Sequence, residues 1–201
     1  IGSEEKQWPA VRLAYDEPLD LFMDMMRRSH VSPSASVVRK SVFEKLGGFN
    51  DIEEEYKGKR VQAEDYDFFL RAGRLSRFVC SSRSTTLYRR HAAQSSIHAA
   101  PQIVMSIKYR IRLITEMHSE EGQESLVSRA ISETIARWKE YLTSVCVMGN
   151  KEAIDYVMDY GMSEELLKDS TARFKAILMV PGSVLKAWSH VPRTVRKILD
   201  V

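Results

Sequence analysis

Residues Ala63 to Arg71 read Ala-Glu-Asp-Tyr-Asp-Phe-Phe-Leu-Arg. Three carboxylates, Glu64, Asp65 and Asp67, stand at the start of an expected helix, followed by an apolar face and an arginine. A carboxylate placed there can hydrogen-bond an attacking hydroxyl and take its proton as the new bond forms, the role of a general base. The same residues also satisfy a purely structural rule. Acids in the first turn of a helix are favoured by the helix dipole at about 0.3–1 kcal/mol each. Further on, Thr85-Thr86-Leu87-Tyr88-Arg89-Arg90-His91 is β-prone and closes on two cations and a histidine.

Those residues need elements to hold them. Upstream, Ser41 to Leu46 reads as a short helix, with Ser41 and Glu44 at capping-box spacing. Gly47-Gly48 then supplies the positive φ that ends such a helix. Leu19, Phe22, Met23 and Met26 recur at the spacing of one helical face, and Ser32-Pro33-Ser34 breaks that helix. Ala35 to Arg39 is expected as a strand and Asn50 to Gln62 as a charged loop or flap. Glu64 to Leu75 is expected as a helix, with further strands at Arg77 to Cys80 and Thr85 to Arg89. Residues 1 to 18, with Pro9 and Pro18, read as mostly loop.

Four segments follow one another in a recognisable order: Ser34 to Lys40, Phe43 to Phe49, Glu64 to Arg71, and Leu87 to His91. In that order they resemble the acceptor-side half of family 2 glycosyltransferases, inverting enzymes of the GT-A fold that use nucleotide sugars. The similarity spans residues 30 to 98, about a third of the chain. The resemblance implies Asp65 as the catalytic base and Glu64 as a residue that orients the loop or acceptor. It implies that Gly48 and Phe49 wall the acceptor pocket and that Arg89 stabilises the leaving nucleotide diphosphate. His91 would ligate Mg²⁺ or Mn²⁺, or hydrogen-bond a phosphate. Asp67 is expected to cap or to pair with Arg71. The family's nucleotide-binding half and its Asp-x-Asp motif have no counterpart before Ser34. The chain is therefore expected to be a fragment, inactive alone.

The expected fold is accordingly α/β over residues 1–98, a partial GT-A-like C-terminal half, followed by an all-α helical region over 99–201. The second part rests on periodicity. Ile103, Ile107, Ile111 and Ile114 mark one long helix, and Val127, Ile131, Ile135, Trp138, Leu142 and Val145 another, ending near Gly149-Asn150. Shorter helices are expected at Lys151 to Tyr160, Ser163 to Asp169 and Arg173 to Val180. Trp138 belongs to the apolar face and so to the core.

Composition narrows the classes. The 28% of charged residues and 44% of hydrophobic ones suit a globular chain, and a formal charge of +3 is too small to imply nucleic acid. Cys80 and Cys146 form no CxxC and no framework, so they read as reduced thiols of a cytoplasmic protein. No apolar run reaches the roughly 18 residues of a membrane span. Residues 184–199 carry an apolar stripe, Val184, Trp188, Val191, Val195 and Ile198, beside Lys186, Arg193, Arg196 and Lys197. Such a stripe suits either peripheral contact with the inner face of a membrane or a last helix docked on its own domain. The expected partners are a nucleotide-sugar donor and a saccharide or lipid-linked acceptor. The rival reading is a non-enzymatic helical module that binds a partner protein or a membrane surface.

Overall fold

The computed structural model describes residues 14–15, 18–28, 31–50, 54–56, 58–61, 63–80, 99–147 and 150–178. In chain order these form β1 (Ala14–Tyr15), α1 (Pro18–Arg27), a 3-10 turn (Pro33–Ala35), α2 (Lys40–Lys45), β2 (Glu54–Tyr56), β3 (Lys59–Val61) and α3 (Glu64–Leu75). After β4 (Phe78–Val79) come α4 (Ala99–His118), α5 (Glu124–Val147), α6 (Lys151–Ser163) and α7 (Glu165–Leu178). The described residues divide into two compact units, Ile1–Tyr141 and Leu142–Val201, with the division falling inside α5.

The first unit is built by burying helix faces. Pro18, whose fixed φ suits a first helical turn, opens α1. Leu21, Phe22, Met25 and Met26 then form a face that is 0–1% exposed. That face packs on α3, where Phe68, Phe69, Leu70 and Ala72 are buried. The two backbones come very close. A Cβ on Gly73 would stand 2.8 Å from the backbone nitrogen of Phe22, so only glycine fits there. Met105, Tyr109, Leu113 and Met117 of α4 and Leu126, Val127 and Ala130 of α5 complete the same core. Trp138 is fully buried, as its place on the apolar stripe predicts.

The expectation of an α/β, GT-A-like first half is corrected. Among the described residues the strands form only two separate two-stranded antiparallel ladders, β1 with β4 and β2 with β3. A parallel α/β layer needs strands buried on both faces and covered by helices. Strands of two or three residues give no such layer, and the apolar surface is buried helix against helix instead. The fold is mostly helical.

Local expectations shift with it. Ala35 to Arg39 is not a strand. It continues from the 3-10 turn as extended chain with Val37 fully exposed, so its β-branched residues have no sheet to join. The charged stretch from Asn50 to Gln62 holds the β2–β3 hairpin, registered Glu54↔Val61, Glu55↔Arg60 and Tyr56↔Lys59. The Ser41 capping box does not form, because α2 starts at Lys40 with Arg39 as an N-cap that gives no side-chain bond.

In the second unit, Asn150 caps α6 by accepting a hydrogen bond from the Ala153 amide at 3.1 Å. The two short helices expected from Ser163 to Val180 are one, α7. It runs through Thr171, whose hydroxyl turns back to the Leu167 carbonyl at 2.9 Å. No helix among the described residues is long and apolar enough to cross a membrane.

Candidate functional site

The first turn of α3 sorts its three carboxylates into different environments. Asp67 is 1% exposed and saturated. Its Oδ2 accepts from Arg71 Nε and Asn50 Nδ2, both at 2.9 Å, and its Oδ1 accepts from Arg112 of α4. Two guanidiniums around one buried carboxylate are what removal of that carboxylate from water requires. The expected Asp67–Arg71 pair is therefore present, with a second cation from 45 residues away.

Arg71 also fixes the glycine turn. Its Nη1 donates to the Leu46 carbonyl at 2.6 Å and its Nη2 to the Gly48 carbonyl at 2.7 Å. Gly47 and Gly48 have φ of +71° and +76°, a region that a side chain would penalise. A Cβ on Gly48 would in addition lie 3.1 Å from the Phe43 ring. Sequence gives the glycines; the arginine that reads their carbonyls lies 23 residues downstream of Gly48.

Beside this knot sits an aromatic cluster. The ring centroids of Phe43 and Phe49 are 5.6 Å apart, those of Phe43 and Phe68 5.5 Å, and those of Phe49 and Phe68 5.0 Å. Phe68 is buried, whereas Phe49 is 50% and Phe43 40% exposed, so the cluster shows a partly open aromatic face. Glu64 and Asp65 lie four and three positions before Phe68, on the same side of α3. Both are half-buried. Asp65 Oδ1 accepts from the Tyr66 amide at 2.7 Å, and neither Glu64 nor Asp65 has an ion-pair partner among the described residues.

No protein-family model, no curated protein and no solved structure matches this chain. The site therefore stands on its own geometry.

That geometry brings Gly48, Phe49 and the first turn of α3 together through Phe68, Asn50 and Arg71. Arg89 and His91 lie outside the described residues. Among the described residues, no group of three or more His, Cys, Asp or Glu is placed to hold a metal ion.

Behind the site is a polar network that pattern reading missed. Tyr66 donates to the Met25 carbonyl at 2.8 Å and accepts from Arg110 Nε at 2.6 Å. Burial pushes the Tyr66 phenol above its ordinary value, against the lowering effect of Arg110. Arg110 is itself fully buried, and its Nη1 has no partner among the described residues. The signal was available. Arg110 lies three residues after Ile107 and four before Ile114, on the apolar stripe of α4, where an arginine calls for buried polar partners.

Proposed function

We propose that this chain supplies the acceptor-activating part of an inverting glycosyl transfer, with Asp65 as the base. The observation that carries the reading is the unequal state of the α3 carboxylates. Asp67 is committed to Arg71, Arg112 and Asn50, while Asp65, two positions before it, accepts from the Tyr66 backbone amide and has no cation partner among the described residues. A carboxylate that is positioned yet unpaired is suited to accept a proton. The half-open rings of Phe43 and Phe49 support a sugar as the acceptor, since the apolar face of a pyranose packs on aromatic rings.

In this reading the acceptor hydroxyl oxygen attacks the anomeric carbon of a nucleotide sugar, and its proton passes to Asp65. The bond from that carbon to the diphosphate oxygen breaks, and the diphosphate leaves with the electron pair, giving inversion. Glu64 orients the acceptor, a saccharide or a lipid-linked one. Arg89 and His91 are proposed for the diphosphate side, with a divalent metal held by residues beyond those described.

The test is Asp65→Asn in the full-length protein, assayed against a panel of nucleotide sugars for nucleoside diphosphate release and glycosylated product. Loss of transfer by a hundredfold or more, on the order expected for a general base, with donor affinity and thermal midpoint kept, is the expected result. Turnover within a few fold of the parent removes Asp65 from the reaction.

A further inference from the structure

A second polar site lies within the first unit, where the C-terminal end of α1 meets α5. Arg27, Arg28, Glu133, Ala136, Arg137 and Glu140 line a cleft of about 210 Å³. Five of those six residues are charged, three positively and two negatively. Both carboxylates are already answered. Arg27 Nε donates to Glu133 Oε1 at 2.9 Å, and Arg137 pairs with Glu140. Arg28 has no ion-pair or side-chain hydrogen-bond partner among the described residues, so the cleft keeps an uncompensated positive charge.

One of the three arginines is also held in place. Arg137 is stacked 4.4 Å over the Tyr141 ring, which fixes its guanidinium, and its Nε is buried without a partner among the described residues. Three guanidiniums therefore line the cleft against two carboxylates.

We infer that this cleft binds a phosphate group. Guanidiniums present planar forks that match phosphate oxygens, and two of the three in the cleft are pre-oriented by Glu133 and by Tyr141. The volume decides the size of the ligand. Whole small-molecule sites run to about 300–1,000 Å³, so this cleft takes one anionic group and not an entire nucleotide sugar. The inference is independent of the role given to Asp65.

The phosphate can be free or on a lipid headgroup, and two arms separate these sources. Calorimetry of the full chain with inorganic phosphate and pyrophosphate reads the first. Co-sedimentation with phosphatidylcholine vesicles, with and without phosphatidic acid, reads the second. Saturable binding in either arm is expected. Arg28→Ala should weaken it about five- to tenfold, the loss from one charge-assisted hydrogen bond. Arg28 is exposed, so the variant should fold as the parent does. Glu140→Gln should strengthen binding roughly two- to fivefold by removing a competing charge. Arg129→Ala, an exposed α5 position outside the cleft, should leave it unchanged. The inference is overturned by no binding in both arms, by equal loss in the Arg28 and Arg129 variants, or by binding indifferent to Arg28. Vesicle binding that survives Arg28→Ala and disappears on removing residues 181–201 overturns it as well.

Discussion

Asp67 shows how a single residue can be read correctly and still incompletely. Its pairing with Arg71 follows from i,i+4 spacing on a helix, but Arg112, 45 residues away, has no sequence signature. The geometry separates two variants of neighbouring carboxylates. Asp67→Ala strands two guanidiniums and Asn50 around a buried void and should destabilise the fold by about 3–5 kcal/mol, measured by urea denaturation. Asp65→Asn, with no ion pair among the described residues to break, should change stability by less than about 1 kcal/mol. Tyr66 carries a pH-dependent contribution. Its folded phenol sits above the ordinary value of 10.0 because burial disfavours the phenolate. The Tyr66 hydroxyl therefore contributes stability that is fully present below pH 10 and is lost as pH rises through the folded value. Tyr66→Phe should cost about 1–3 kcal/mol at pH 8, since Arg110 Nε and the Met25 carbonyl lose their shared partner. The gap between parent and variant should narrow above pH 10. A gap that widens there contradicts the assignment.

At the level of elements, close approach decides signs that propensity gets wrong. Replacing a helical glycine by alanine ordinarily gains about 1 kcal/mol. Gly73→Ala should instead lose about 1–3 kcal/mol or more, because the new methyl meets the Phe22 backbone at 2.8 Å and a backbone cannot step aside as a side chain does. A raised thermal midpoint for this variant would show that α1 and α3 are not packed so closely. The same elements show what was legible. Helical periodicity located α1, α3, α4 and α5 because each buries a continuous stripe, and stripes are visible in sequence. Periodicity misread Val37 and Val38 as strand because it counts β-branched residues without knowing whether a sheet exists to receive them. It missed β2 and β3 because Glu54, Glu55, Lys59 and Arg60 are charged, and a hairpin pairs through its backbone whatever its side chains. It split α7 at Thr171, whose hydroxyl is satisfied inside the helix by Leu167. The Glu64–Asp65 pair and the glycine turn were visible as local patterns. Their link through Phe68 and Arg71 was not, since it depends on contacts between residues far apart in the chain.

For the molecule as a whole, the resemblance of short segments to an α/β enzyme did not extend to the architecture. Motifs of seven or eight residues record local turns and charges, whereas a sheet is specified by long-range pairing that they do not contain. Among the described residues of the first unit, long-range organisation resides in one core. Leu21, Phe22, Met25 and Met26 of α1, Phe68, Phe69, Leu70 and Ala72 of α3, and Met105, Tyr109 and Leu113 of α4 belong to a single buried cluster. Asp67 sits on the boundary of two of these helices, bonded within α3 by Arg71 and to α4 by Arg112. Segments that share a core open together, so their slowest amides should exchange through one common opening reaction. Native-state hydrogen exchange should therefore give one opening free energy for Phe22–Met26, Phe68–Ala72 and Met105–Tyr109. Asp67→Ala should lower all three by the same amount, equal to the loss seen in urea. Arg74 makes a contrasting control, because its 2.6 Å ion pair joins the half-buried last turn of α3 to the exposed Glu120 in the turn after α4. Arg74→Ala should reduce protection by less than about 1 kcal/mol. If Asp67→Ala instead loosens α3 alone and leaves the α1 and α4 amides as slow as before, the three helices do not form one cooperative core.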